Sequence, residues 1–500
     1  MAKVHFLSLG CPKNRVDAEH MLGLAIEDGH QMVNDPTDAD TIVVNTCSFI
    51  GDAKKESIDA ILQMGELKET GGQKLVVSGC LAQRYADQLT EEMPEVDHFI
   101  GTTDYVHIAN LLGPNSDTKP SAETANDAGF ISFDSLVAKS KNKQSQAMAD
   151  DQLPKNLVSD ELEYVARSHT PRVNSMPQYT AYLKISEGCN NTCAFCIIPK
   201  LRGKQRSRPI LDLVAEAERL AAQGVKELNL IAQDLTGYGY DLPGKPKLAQ
   251  LLEALSGVEG IRWVRCMYAY PRTLSSDLMH QLNTGSNILP YLDIPVQHGS
   301  DRMLRRMKRG KDQKRLSELL LKCRDEVQNL VLRSTVIVGF PGEEDEDFQK
   351  LVDFAQAVQF ERLGVFKYSD EEDTSAFDLD GKLPYKVKRS RYDKLMRRQR
   401  KISKTVCKQM MGQVHEAIVE GVSEEHDYLV KGRLWSQAPE IDGMTYLSSN
   451  RALSAGEIVK VKIVDSHDYD LVGEVLEEDD PQGQFALPFN ARHAGESHAS

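Results

Sequence analysis

Apolar positions fall into three successive patterns along the chain. Over residues 4–112, short β-rich apolar runs at 4–9, 41–45 and 74–78 alternate with stretches of helical spacing at 16–27 and 53–67. An apolar run of four to eight residues followed by apolar positions recurring every three or four reads as a strand followed by a helix. Repetition of that unit predicts an α/β region: a doubly wound parallel sheet with helices packed on it. Over residues 179–377 the alternation returns, with strands expected at 181–185, 227–231, 263–267, 291–294, 331–338 and 363–368 and helices between them, including 210–223 and 344–357. About six such units predict a parallel (β/α) barrel, complete or incomplete, with its chemistry at the C-terminal ends of the strands. The third pattern, at 416–422, 428–434 and 458–464, has short strands and glycine-containing turns and predicts a small antiparallel β-barrel.

Between these regions the patterning lapses. Residues 114–178 are rich in Ser, Asn, Asp, Lys and Ala and read as a partly disordered linker in which the apolar clusters at 130–137 and 162–166 dock locally. Lys386, Lys388, Arg389, Arg391, Lys394, Arg397, Arg398, Arg400, Lys401 and Lys404 crowd one helix, either as a solvated face or as a contact for RNA. The expected division is an N-terminal domain at 1–113, the linker at 114–178, the parallel barrel with the basic helix at 179–405, the small barrel at 406–476 and a polar tail at 477–500.

Composition changes the picture in four ways. A chain of 500 residues suggests about three domains, and 41% hydrophobic with 27% charged residues suits folded cores. No apolar stretch of about 18 residues predicts a membrane span, and the N-terminus reads as a first strand, not a signal segment. The net charge of -14 disfavours nonspecific nucleic-acid binding by the whole chain and suits a basic protein partner. Nine cysteines, an odd number without a secretory signal, point to reduced thiols or metal ligands in the cytosol.

The strongest chemical signal is Cys189-Asn-Asn-Thr-Cys193-Ala-Phe-Cys196, three thiols in one loop after a strand. A structural zinc site wants four closed ligands, and no fourth Cys or His follows nearby. Three thiolates on a four-iron cluster leave one iron open, as a cluster that chelates S-adenosylmethionine requires. Cys11, Cys47 and Cys80 each stand just past a strand of the first sheet, on the edge where open α/β folds bind ligands. Any one alone would more often be a small hydrophobe. Cys266, Cys323 and Cys407 are expected to have no ligand role.

The spacing of Cys189, Cys193 and Cys196, with Phe195 before the last, resembles the radical S-adenosylmethionine (radical SAM) superfamily. That resemblance implies a 4Fe-4S cluster and S-adenosylmethionine, with Phe195 near the adenine. The segment Ile337-Val-Gly339-Phe-Pro341-Gly-Glu343 is similar to the superfamily's adenine support, and its pattern also fits an ordinary strand-to-helix turn with amides beside the pocket. Gln233, Asp234, Tyr268, Pro271, Gln297 and His298 fall at strand ends without an assignable role.

The contexts of Cys11, Cys47 and Cys80, followed by the radical barrel and a small barrel of the TRAM kind, resemble the methylthiotransferase family over about residues 3–476. The resemblance implies a second, sulfur-carrying 4Fe-4S cluster on Cys11, Cys47 and Cys80, a second S-adenosylmethionine as methyl donor, and an electron donor such as flavodoxin. One branch of that family modifies the β-carbon of an aspartate in the twelfth protein of the small ribosomal subunit, free or on the ribosome; others modify adenosine in tRNA. Residues 9–14, 197–203 and 367–374 are similar to the ribosomal branch. An acidic small barrel, drawn to a basic protein and repelled by RNA backbone, points the same way. A noncatalytic iron-sulfur or nucleic-acid-binding module is the competing class, and the two complete cysteine sets speak against it.

Overall fold

The structure, a computed structural model, describes residues 1–113, 135, 153–271, 274–310, 312–423 and 429–477. Residues 114–134 and 136–152 of the expected linker and 478–500 of the expected tail lie outside the described residues.

Six parallel strands form the first sheet: β1 (Lys3–Ser8), β2 (Gln31–Met32), β3 (Thr41–Thr46), β4 (Lys74–Gly79), β5 (His98–Ile100) and β6 (Asn156–Leu157), in the order β2-β1-β3-β4-β5-β6. The central β3 is buried along its whole length, which is why its sequence is a continuous run and not an alternation. From β1 the chain steps outward to β2 and then crosses back to β3, so the winding direction reverses between β1 and β3. Such a reversal opens a crevice at the C-terminal strand ends.

The end of the expected linker is a correction. Residues 153–178 supply β6, and Tyr164, Val165 and Ala166, in the segment expected to dock, are buried. Their polar neighbours satisfy buried groups that the composition alone does not reveal. Arg172 ion-pairs with Glu19 at 2.6 Å and with Glu216, and the Ser175 amide donates to Glu19 at 2.9 Å.

The second sheet follows the expectation strand for strand. β7 (Thr180–Lys184) is followed by a two-stranded antiparallel ribbon, β8 (Ser186–Glu187) with β9 (Arg206–Ser207). Then come β10 (Glu227–Ile231), β11 (Trp263–Cys266), β12 (Ile288–Asp293), β13 (Val331–Val338) and β14 (Arg362–Lys367). The parallel order is sequential, β7-β10-β11-β12-β13-β14, with β7 and β14 as edges, so the barrel is incomplete. Helix Pro12–Glu27 of the first region packs against the β7 edge, and its Val16 joins an interior cluster with Tyr182, Ile231, Trp263 and Tyr291.

The third region is a closed barrel of β15 (Val414–Val422), β16 (Val430–Leu434), β17 (Thr445–Ser448), β18 (Ile458–Ser466) and β19 (Leu471–Val475), ordered β15-β16-β17-β19-β18. It departs from the antiparallel expectation at one pair, β17 with β19, which is parallel. The segment after β16 plugs the floor of the parallel barrel: Trp435 and Ala438 enter the interior cluster, Tyr291 donates to Asp442 at 2.7 Å and Tyr182 to Glu440 at 3.1 Å. Glu227 at the start of β10 is held by Arg265 at 3.0 Å and by Arg433 at 2.6 Å.

These contacts correct the argument from an acidic surface. Glu440 pairs with Arg15, Glu416 with Arg262, Glu420 with Arg433, and Asp468 lies 3.7 Å from Arg400 and 3.6 Å from Lys404. Much of the small barrel's negative charge is therefore answered within the chain. The basic helix, Tyr385–Gln409, is likewise partly internal: Arg391 is buried on Glu343 and Asp345, and Lys388 donates to the Tyr368 carbonyl.

Candidate active site

Cys11, Cys47 and Cys80 follow β1, β3 and β4, three neighbours in the sheet, and so meet at the crevice where the winding reverses. Cys11 caps helix Pro12–Glu27, whose proline at the first turn suits the helical start. Gly10 makes the approach feasible: its φ is +92°, and a Cβ there would sit 2.7 Å from Cys47 Cβ. Asn14 ties the strand ends together by donating to the carbonyls of Leu9 at 2.7 Å and Thr46 at 3.2 Å. Ser57 Oγ accepts from the Cys47 amide at 2.9 Å, and Ser48 donates to the Cys80 carbonyl at 2.9 Å. Burial pushes the Cys47 thiol up to about 12, and the neighbouring Cys80 and Cys11 sulfurs push it the same way.

Cys189, Cys193 and Cys196 lie in the loop closed by the β8–β9 ribbon. At its entry Gly188 has φ +76°, and a Cβ would overlap the Lys204 carbonyl. The backbone and side-chain N–H groups of Asn191 point at Cys189 Sγ at 3.4 and 3.5 Å, and Arg309 Nη1 donates to Cys193 Sγ at 3.2 Å. Burial pushes Cys196 up to about 12, aided by Cys193 and Cys189.

Both sets fit a polynuclear cluster better than a single ion. Among the described residues no group of three or more His, Cys, Asp and Glu side chains is placed to hold one metal ion. A zinc ion would gather its thiolates at about 2.3 Å from one centre. Here the thiols of each set lie close enough to oppose one another's ionisation without sharing such a centre, an arrangement suited to ligands on separate irons.

The two sets meet at one junction. Ile197 and Leu201, just after Cys196, pack on Cys80. Arg202, 2% exposed, donates to Asp17 at 2.7 Å, Glu187 at 3.2 Å, Asn14 at 3.3 Å and Cys80 Sγ at 3.5 Å. Lys184 completes the buried network with Asp17 and Glu187. Lys13 Nζ lies 2.9 Å from the centroid of the Tyr268 ring, and burial pulls its ammonium down to about 8. Tyr268 and Gln297, at the ends of β11 and β12, hold φ values of +63° and +72°, conformations that cost non-glycine residues energy and gather at functional sites.

Phe195 packs with Ile337 and Phe340 in one apolar cluster beyond β13. The turn containing Gly339, at φ +75°, and Pro341 stands beside it. Its amides, expected beside the pocket, are already engaged: Gly339 and Phe340 donate to the Glu343 carboxylate, which Arg391 holds at 3.0 Å. Gln233 donates to Glu187 at 2.8 Å and Asp234 accepts from Asn191 at 2.7 Å, so both support the cysteine loop. His298 is buried, 3.8 Å from Glu343. Cys266, Cys323 and Cys407 sit in apolar cores away from both sets.

Sequence reasoning assigned no part to Lys13, Arg202 or Arg309. The first two stand inside motifs already marked by their cysteines, whereas nothing local marks Arg309. The 367–374 segment, read as a branch signature, also docks the first region: Glu371 pairs with Arg84 and Lys54, each at 2.9 Å, and Ser369 Oγ accepts from the Gly51 amide at 3.1 Å.

Three family models match the chain: uncharacterized protein family UPF0004 at residues 3–101, the radical SAM superfamily at 183–355 and the TRAM domain at 411–476. The chain is 49% identical to "Ribosomal protein uS12 methylthiotransferase RimO" of Myxococcus xanthus (strain DK1622), over 96% of this chain and 93% of the relative. It is 43% identical to the protein of that name from Geobacter sulfurreducens (strain ATCC 51573 / DSM 12127 / PCA), over 95% and 98%. Its fold is similar to the solved structure of the radical S-adenosylmethionine methyltransferase TsrM from Kitasatospora setae with cobalamin and a 4Fe-4S cluster bound, at 13% identity and a TM-score of 0.50, over 75% of this chain and 74% of that one. On identities of this size over nearly the whole length, the chain belongs to the ribosomal protein uS12 methylthiotransferase family within the radical SAM superfamily.

Proposed function

We propose that the chain adds a methylthio group to the β-carbon of an aspartate in ribosomal protein uS12, with Cys189, Cys193 and Cys196 holding the cluster that serves S-adenosylmethionine and Cys11, Cys47 and Cys80 holding a second, sulfur-carrying cluster. The observation that carries this reading is the junction at which Ile197, Leu201 and Arg202, from the radical loop, touch Cys80 of the first sheet. Radical formation and sulfur delivery need to lie within reach of one substrate carbon. The relatives named for uS12 favour a protein substrate over tRNA adenosine.

When bound, a radical SAM cluster with S-adenosylmethionine supplies a carbon radical for hydrogen abstraction, and an auxiliary cluster supplies sulfur. The chain's own residues prepare the surroundings. Asn191 and Arg309 donate to the sulfurs of Cys189 and Cys193, and Arg202 to that of Cys80, which favours the thiolate forms that iron requires. Phe195, Ile337 and Phe340 offer an apolar wall suited to an adenine ring. Burial of the Arg202 network at the junction keeps water from a reactive carbon. Electrons come from a flavodoxin-type donor, and the reaction belongs in the cytosol beside ribosomes. Among the described residues no helix is long and apolar enough to cross a membrane.

The test is a division of labour between the cysteine sets. After anaerobic reconstitution with S-adenosylmethionine, sulfide and reductant, Cys47→Ala is expected to form 5'-deoxyadenosine without methylthiolated product, and Cys193→Ala to form neither. Normal product from Cys47→Ala would contradict the reading.

A further inference from the structure

We propose that the Lys13 ammonium binds the side-chain carboxylate of the substrate and sets the preference for an aspartate, an inference that rests on the function proposed above. Lys13 is 7% exposed. Among the described residues its Nζ has no hydrogen-bond or ion-pair partner; its close neighbour is the face of the Tyr268 ring, 2.9 Å from Nζ to centroid. The surrounding cations are all committed: Lys184 to Asp17 and Glu187, Arg202 to the same two carboxylates, Arg333 to Asp293 at 2.9 Å. A buried ammonium without a carboxylate is costly, and an aromatic face offsets only part of that cost. A carboxylate from outside the chain completes the site.

The placement suits the chemistry. Lys13 is two residues from Cys11, at the strand-end crevice of the first sheet, while Tyr268 ends β11 on the catalytic rim of the barrel. The group that spans this gap faces both cysteine sets. In an aspartate the β-carbon is bonded directly to the carboxylate carbon, so holding the carboxylate fixes the reacting C–H one bond away. An asparagine at the same position offers no charge to Lys13. The side chain is already held against Tyr268, whose backbone amide is fixed on Asp293 at 3.2 Å, so little ordering remains to be done when the substrate arrives.

The experiment compares uS12 with its Asp→Asn form, at the position that mass spectrometry identifies as modified, on the reconstituted full-length protein. Dissociation constants and the split between KM and kcat are measured for wild type, Lys13→Met and Lys13→Arg, with iron content per chain as the check on folding. Wild type is expected to prefer the Asp form on the order of 10- to 100-fold, the yield of a hydrogen-bonded charge pair. Lys13→Met should bind both forms at the weaker level, and Lys13→Arg should restore part of the preference. Equal affinity of wild type for the two forms overturns the inference whether or not the variants fold. So does a Lys13→Met protein that keeps the preference, or one whose sole change is weaker binding of S-adenosylmethionine. A wild-type protein that neither binds nor modifies uS12 overturns the function itself, and with it this assignment.

Discussion

Arg202 carries positive charge from the radical loop into the first sheet, where Asp17, Glu187, Asn14 and a cysteine sulfur all take hydrogen bonds from it. Removal of one partner from a buried ionic network strands the others. Arg202→Met is therefore expected to destabilise the chain by about 3–5 kcal/mol, read as a lower urea midpoint; an unchanged midpoint would mean that the network adds nothing. Glu227 gives the same argument a pH axis. Its carboxyl is buried, a penalty that Arg433 and Arg265 overcome, and it is held down to about 2 from 4.5. A depressed carboxylate contributes stability that is complete above the unfolded value of 4.5 and is lost as pH falls towards 2, here on the order of 3 kcal/mol. Glu227→Gln should flatten the acid limb of a stability-pH curve between those values; a limb as steep as wild type's would sink the assignment. The six cysteines were legible in the sequence because ligand spacing and strand-end position are local. The cations behind them were not: Arg202 reaches Cys80 across 122 residues of chain and Arg309 reaches Cys193 across 116.

At the scale of elements, long apolar runs were readable and short ones were not. All six barrel strands had four or more residues and fell where the pattern put them, whereas β2 and β6 have two residues, β5 three and the β8–β9 ribbon two in each strand. Such strands owe their existence to neighbours already in place, so they carry no periodicity of their own. The ribbon nevertheless sets the cysteine loop, and it turns on Gly188. Gly188→Ala forces a side chain into a left-handed backbone against the Lys204 carbonyl. The expected outcome is loss of the iron held by the radical loop with retention of that on the first sheet, read by iron analysis and electron paramagnetic resonance. Full iron loading would show that the ribbon does not position the loop. The same limit applied to residues 153–178, whose polar composition resembles a linker although Arg172 and Ser175 are anchored on Glu19.

Across the whole molecule, the incomplete barrel is completed by its neighbours: helix Pro12–Glu27 lies on the β7 edge and the segment around Trp435 fills the floor. No pattern within any one region announces this, because each surface looks like an ordinary apolar face until its partner is known. Trp435, 5% exposed in the shared core, makes the dependence measurable. Trp435→Ala is expected to cost about 3–5 kcal/mol and to lower the unfolding midpoint of the parallel barrel together with that of the small one; a loss confined to the small barrel would show that the two are energetically separate. The central claim is that both cysteine sets act on one aspartate. Its most direct measurement is mass spectrometry of uS12 and of unmodified tRNA from a single anaerobic reaction of the reconstituted protein with S-adenosylmethionine, sulfide and reductant. The account predicts a methylthio mass increase on an aspartate of uS12 and none on the tRNA; modification of adenosine in the tRNA with uS12 unchanged would contradict it.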